Sequence, residues 1–324
     1  METMADGAFY IVQKNLERTA QAASKVAEKR FAHLFEQARL IVQNILKETE
    51  QDDVLTAILT LEDAAAIYKK SCQFTVGTVS FSAVNKTAEP FFSKYLSRFS
   101  KYYLCDAIAS FGKRKTIAEI SPYVCGTVPV FADENEKTVA FLRNGQASRA
   151  FECFARSLGG VSAVYENNFL NACESVYTGQ ATYAIIPVYS TSDGRLNSFY
   201  RQIEKYELSI ILTCDIDSED GENTTTYALV YKSPVYLNAE GTPLYECKIT
   251  FEEMNLLAEI ADAAAYYGVC IESYESLPTM FSGRNNAFSV IFNLTNANIN
   301  GFFCYLALEY PQITAIGIYQ KISK

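Results

Sequence analysis

Ala172–Asn197, ACESVYTGQATYAIIPVYSTSDGRLN, is the stretch that decides how the rest of the chain is read. It opens as the end of a helix, turns at Gly179, and enters an apolar run, Tyr183–Val188, long enough for one buried strand. Past Pro187 come Ser190, Thr191, Ser192 and Asp193, and then Gly194, read as leading into another helix. Small hydrogen-bonding side chains are thereby expected at the carboxyl end of a strand, where open α/β sheets bind their ligands.

Upstream, Val139–Leu142 is a second buried strand. It runs through Arg143-Asn144-Gly145-Gln146-Ala147-Ser148 into a helix, Arg149–Leu158. Ser148 is a fitting N-cap, and the free amides of that helix start are able to hold a carboxylate; a cap without any ligand explains the residue equally well. Gly159-Gly160, a strand Val161–Tyr165 and a helix Phe169–Tyr177 follow. Downstream the pattern predicts a helix Gly194–Lys205, a strand Leu208–Cys214, an acidic loop Asp215–Asn223 and a strand Thr224–Lys232. Strands and helices alternating over short connections imply a parallel sheet covered by helices. From Tyr245 the order becomes strand Glu246–Phe251, helix Glu252–Tyr267, strand Val269–Ser276, strand Phe288–Leu294, helix Gly301–Tyr310 and strand Ile313–Ile322. That is the β-α-β-β-α-β ferredoxin-like arrangement.

The first part of the chain reads differently. Val12, Leu16, Ala20, Ala23, Ala27, Phe31, Leu34, Ala38, Ile41 and Ile45 recur at steps of three and four, which predicts one amphipathic helix from Phe9 to Glu48. Asp52 or Asp53 caps a second, running to Lys70. Phe74–Phe81 alternates like a short strand or hairpin, Pro90–Phe111 is helical again, and Pro122–Pro129 is a loop. The fold class expected is therefore α/β and α+β: a helical N-terminal region (1–130), a reduced α/β sheet (131–240) and a ferredoxin-like unit (241–324). Lys14, Arg18, Lys25, Lys29, Arg30 and Arg39 on the first helix have the cations a helical chorismate mutase needs. Glu17, Glu28 and Glu36 interleave with them, however, as on a solvated helix face.

Composition narrows the function. With 324 residues, 49% apolar and 20% charged, the chain has ample core. A net charge of −9 gives no overall attraction for nucleic acid or anionic lipid. No signal peptide and no membrane-spanning run are read in it. Nine scattered cysteines without a CxxC pair fit reduced core thiols and a cytoplasmic location. With His33 the single histidine, a Cys/His metal site and histidine acid–base chemistry are not expected. No cofactor is expected either.

These motifs, in this order from about Thr138 to the end, resemble prephenate dehydratase followed by an ACT regulatory domain. VAFLRNGQAS looks like the family's strand followed by Gly-Pro-x-Gly-Thr-Phe-Ser, keeping Gly145 and Ser148. The organising stretch looks like the family's strand end Val-Pro-Ile-Glu-Asn-Ser: Pro187 and the later Gly194 remain, with Tyr189, Ser190 and Thr191 where Glu, Asn and Ser are expected. Thr225-Thr226-Tyr227 is similar to the Thr-Arg-Phe signature with its arginine replaced. Gly268-Val269-Cys270-Ile271 and Glu275-Ser276-Leu277-Pro278 resemble the Gly-Ile-Asn-Leu and Glu-Ser-Arg-Pro motif of phenylalanine-sensing ACT domains, with Leu277 for the arginine. Asn255-Leu256-Leu257 stands for Gly-Ala-Leu, and Ala315–Tyr319 looks like the closing Leu-Gly-x-Tyr.

The resemblance implies a site. Thr225, Ser190 and Thr191 would be catalytic, Ser148, Asn144, Arg149 and Thr226 would bind substrate, and Asn255, Leu257, Glu275 and Ser276 would hold an amino-acid effector. It also implies that the reduced parallel α/β sheet is of periplasmic-binding-protein type, and a homodimer through the ACT-like domain. The reaction would convert prephenate to phenylpyruvate, water and carbon dioxide, a carbon–oxygen lyase step. Such a step needs a cationic clamp and a hydroxyl donor. With the arginine gone, Arg143, Arg149 or Arg195 would have to supply the cation. The family's second lobe is also missing between Leu208–Cys214 and Thr224. Three readings follow: a divergent relative that binds a small carboxylate or an aromatic amino acid, an active dehydratase, or a non-catalytic interaction protein.

Overall fold

The computed structural model describes residues 2–76, 89–125, 137–251, 255–277 and 286–323. They form two compact units, Met1–Gly112 and Lys113–Lys324.

In the first unit α1 (Glu2–Thr49) is the long helix that the apolar spacing predicts. Its C-terminal part buries Leu34, Ala38, Ile41 and Ile45 against α2 (Val54–Thr60), α3 (Ala64–Val76) and α4 (Glu89–Ser110). Earlier positions of the same stripe, Leu16 and Phe31 among them, stay exposed. Asp53 caps α2 by accepting from the Thr56 amide at 3.0 Å. The single helix expected through Lys70 is two helices: Leu61 turns extended and α3 restarts beyond it. This break lets Leu55 and Ile58 of α2, and Ala64 and Tyr68 of α3, all enter the core. The strand expected at Phe74–Phe81 is corrected in part, since Phe74–Val76 close α3. Residues 77–81 lie outside the described residues.

The second unit begins with α5 (Ile117–Val124), started by a reciprocal capping box between Thr116 and Glu119. Pro122, read as loop, sits inside it, past the first turn, where it cannot donate the i→i−4 bond. Residues 126–129 of that expected loop are outside the described residues. Then come β1 (Lys137–Leu142), α6 (Gly145–Leu158), β2 (Val161–Glu166), α7 (Phe169–Tyr177), β3 (Tyr183–Ser190), β4 (Gly194–Arg195), α8 (Asn197–Lys205), β5 (Ser209–Asp217) and β6 (Thr224–Tyr231). After them β7 (Gly241–Phe251), α9 (Asn255–Tyr266), β8 (Cys270–Leu277), β9 (Asn286–Asn293), α10 (Ile299–Glu309) and β10 (Thr314–Ile322) complete the chain.

All ten strands join one sheet in the order β2-β1-β3-β6-β5-β10-β7-β9-β8, with β4 folded back on β3. β1 is parallel to β2 and β3, as the alternation predicts. β6 departs from the parallel sheet expected: it lies antiparallel between β3 and β5. The loop 218–223 is too short for a crossover, so β5 and β6 close as a hairpin. β10-β7-β9-β8 is antiparallel throughout, which gives the ferredoxin-like order anticipated from Tyr245 onward. β10 also pairs in parallel with β5, Gln320 to Leu212 and Ile322 to Cys214, so both halves share the sheet. The fold class is α/β and α+β as expected, with N-terminal helices, an α/β sheet region and a ferredoxin-like continuation.

Each face of the sheet has its own core. Phe141, Ile185, Leu229 and Cys214 pack with Phe154 of α6 on one face. Ala184, Ile186, Val230 and Tyr319 pack with Val176 of α7 and Ile203 of α8 on the other. Because strand side chains alternate between faces, this parity decides where each candidate residue points.

Candidate functional site

The expected residues at the carboxyl end of β3 do gather, but they divide between the two faces. Ser190 and Thr225 are register partners across β3 and β6. Ser190 is buried, its hydroxyl 2.8 Å from that of Ser192. Thr191 takes the Thr224 amide on its hydroxyl at 3.0 Å, and its own amide donates to the Thr224 carbonyl. The Thr225 hydroxyl makes no hydrogen bond among the described residues, and its parity with Tyr227 and Leu229 turns it to the α6 face.

At the start of α6 the cap differs from the sequence reading. Asn144, not Ser148, is the N-cap, accepting from the Ala147 amide at 2.7 Å. Ser148 lies in the first turn and donates to the Asn144 carbonyl at 2.8 Å. The helix therefore starts at Gly145, one turn earlier than expected, because Asn144 holds the extended geometry a cap needs. The chain brings its own anion there: a Glu219 carboxylate oxygen lies 3.5 Å from where a Cβ on Gly145 would stand. Arg149 donates to the Asp217 carbonyl at 2.7 Å, and the Arg143 guanidinium lies over the Tyr165 ring. Burial pushes the Tyr227 phenol up to about 12.

Thr226 points to the opposite face and donates to Asp215 at 2.7 Å. Asp215 in turn pairs with Lys321 at 2.7 Å. On this face lies a cleft of about 340 Å³ between the β3-β6-β5 strands and the ferredoxin-like half.

Arg195 helps form the cleft's wall, and its position corrects the helix expected to start at Gly194. Gly194, at φ +68, turns the chain back so that Gly194 and Arg195 pair with Ser190 and Tyr189 as β4. α8 begins only at Asn197. The Arg195 side chain, 6% exposed, then meets Glu246 of β7 at 2.6 Å and Ser289 of β9 at 2.5 Å. Ser289 and Tyr319 also donate to Glu246, and the Arg195 guanidinium stacks on Tyr200. Burial, and after it the Glu246 charge, raises the Tyr200 and Tyr319 phenols well above their ordinary range.

Sequence reading did not single out Glu246. The available signal was one charged residue inside the apolar run Leu244–Cys247. The effector set is not one cluster: Glu275 lines the cleft, whereas Ser276 is exposed and, by alternation, on the other face of β8. Leu257 is half-buried on α9. The side chain of Asn255, and Pro278, lie outside the described residues. Among the described residues, no group of three or more His, Cys, Asp or Glu is placed to hold a metal ion.

No protein-family profile matches the chain, and no curated protein matches it. Among solved structures it is similar to a prephenate dehydratase from Streptococcus mutans, with TM-score 0.47 and 15% identity over 57% of this chain and 98% of that one. It is also similar to GqqA, described as a novel type of quorum-quenching acylase (TM-score 0.45, 16% identity, 57% and 96% covered). A third likeness is to a prephenate dehydratase from Arthrobacter aurescens in complex with L-Phe (TM-score 0.43, 15% identity, 56% and 90% covered). These likenesses are too loose to carry an activity over to this chain.

Proposed function

We propose that this protein is a divergent relative of the prephenate dehydratases that binds a small carboxylate or an amino acid and does not dehydrate prephenate. The observation that carries the reading is where its cations go. Arg149 is held by a backbone carbonyl, Arg143 by an aromatic ring and Arg195 by a buried carboxylate. Thr226 faces away from Thr225, and Glu219 stands beside the α6 start. A substrate with two carboxylates would find hydroxyls there and no clamp, although electrostatic stabilisation is the demand that reaction makes most strongly.

Thr225, Ser190, Thr191, Asn144 and Ser148 remain as hydrogen-bonding contacts on this reading. The ferredoxin-like half acts as an ACT-type regulatory unit and forms a homodimer. A thermal-shift titration with phenylalanine, tyrosine, tryptophan and prephenate, with turnover followed on the same sample, tests the proposal. Stabilisation without phenylpyruvate formation is expected. Turnover of prephenate would restore the lyase and make Thr225 the first residue to substitute. A monomer mass in solution that does not change with concentration would refute the dimer.

A further inference from the structure

We propose that the cleft on the concave face of the sheet, lined by Thr213, Thr242, Ser273 and Tyr189, binds a neutral sugar. This is a second site, on the face opposite Thr225, and it does not rest on the reading above.

The cleft exists because the sheet curls. β4 and β7 are five strand spacings apart in the order β4-β3-β6-β5-β10-β7, about 24 Å in a flat sheet. Arg195 of β4 nevertheless meets Glu246 of β7 at 2.6 Å, and a flat sheet would put them beyond the combined reach of the two side chains. The face that carries both is therefore concave. Thr213, Asp215 and Thr242 lie on it, and Ser273 and Glu275 of β8 share the cleft with them.

The charges of this lining leave no seat for an anion. Arg195 is neutralised by buried Glu246, and Lys321 by Asp215 at 2.7 Å. Glu272 and Glu275 remain, so the lining is net negative. Hydroxyls make up most of the other polar groups. Thr213 is only 3% exposed, and its hydroxyl, on the cleft side by parity with Asp215, has no hydrogen-bond partner among the described residues. A buried hydroxyl left unpaired is a standing cost that a ligand hydroxyl removes. The side chains of Thr242, Ser273 and Glu275 likewise have no hydrogen-bond partner among the described residues. A carboxylate only accepts, whereas a hydroxyl both donates and accepts, so a ligand rich in hydroxyls satisfies this mixed set. Tyr189, register partner of both Arg195 and Thr226 and 40% exposed, adds an aromatic surface for the C–H face of a sugar ring. The volume, about 340 Å³, falls at the small end of ligand pockets.

The test is calorimetric titration of the full chain with glucose, galactose, mannose and xylose, with glucuronate as the anionic control and butane-1,4-diamine as the cationic one. At least one sugar is expected to saturate the protein below about 10 mM, and to bind at least tenfold more tightly than either control. Thr213→Val keeps the side chain's shape and removes its hydroxyl; it and Glu275→Gln should each weaken the sugar at least fivefold. No saturation by any of the four sugars overturns the inference, and so does a control that binds as tightly as the best sugar. Unchanged affinity in both variants overturns the cleft as the site. Neither variant touches the α6 face, so each of these failures leaves the reading above standing.

Discussion

Arg195 and Glu246 form the most consequential pair in the second unit, because both are desolvated and each is balanced only by the other and by hydroxyl neighbours. Removing one partner leaves an uncompensated buried charge. Arg195→Ala should therefore cost about 3–5 kcal/mol in urea denaturation, and the double variant Arg195→Met/Glu246→Gln should recover most of it. A full loss in the double variant would mean that packing, not charge, holds the site. The α6 start offers a finer test. Asn144→Ala should cost about 0.5–2 kcal/mol and Ser148→Ala far less, since only Asn144 accepts an amide of the first turn. Sequence pattern placed a cap in this segment but chose the wrong residue: Ser148 and Asn144 are both good caps, and backbone angles chose between them.

Among the elements, β10 is where the two halves of the second unit meet, antiparallel to β7 and parallel to β5. Its Gly317 lies so near β5 that a Cβ would stand 2.6 Å from the Ile210 carbonyl oxygen. Backbone cannot yield as a side chain does. Gly317→Ala is therefore expected to destabilise by about 1–3 kcal/mol, with amide exchange accelerated first in β5 and β10. Exchange rising evenly over the whole unit would show that the seam is not special. The α7 bounds and the ferredoxin-like order were legible from periodicity alone, since long apolar spacing and short connections leave few alternatives. Alternation predicts β6 parallel, and the structure makes it antiparallel; the short loop 218–223 already implies that hairpin.

For the whole molecule, buried acids of high pKa set the alkaline limit. Cys173, fully buried, is pushed by desolvation from 9.0 up to about 12, and the phenols of Tyr200 and Tyr319 are raised as well. In the unfolded chain these groups lose their protons near pH 9–10, while in the folded chain they keep them. The folded state then binds more protons, so stability falls as pH rises through that window. Melting temperature should be flat from pH 7.5 to 8.5 and decline from about pH 9. A flat profile to pH 10.5 would contradict the burial of these groups.

Local chemistry wrote much of this protein directly into the sequence. Apolar spacing determined the long α1, and the spacing and punctuation after Tyr245 determined the β-α-β-β-α-β order, because each depends only on residues close in the chain. Asp53 as the cap of α2 belongs to the same class. Tertiary structure alone decided that β10 would pair with β5, that Gly194 would turn Arg195 towards Glu246, and that Thr226 rather than Thr225 would meet Asp215 and the cleft. Those outcomes depend on strand parity and on partners 51 and 94 residues distant, as in the Arg195 bonds to Glu246 and Ser289. Pairing over such separations is fixed by the closing of the sheet, and no local pattern records it.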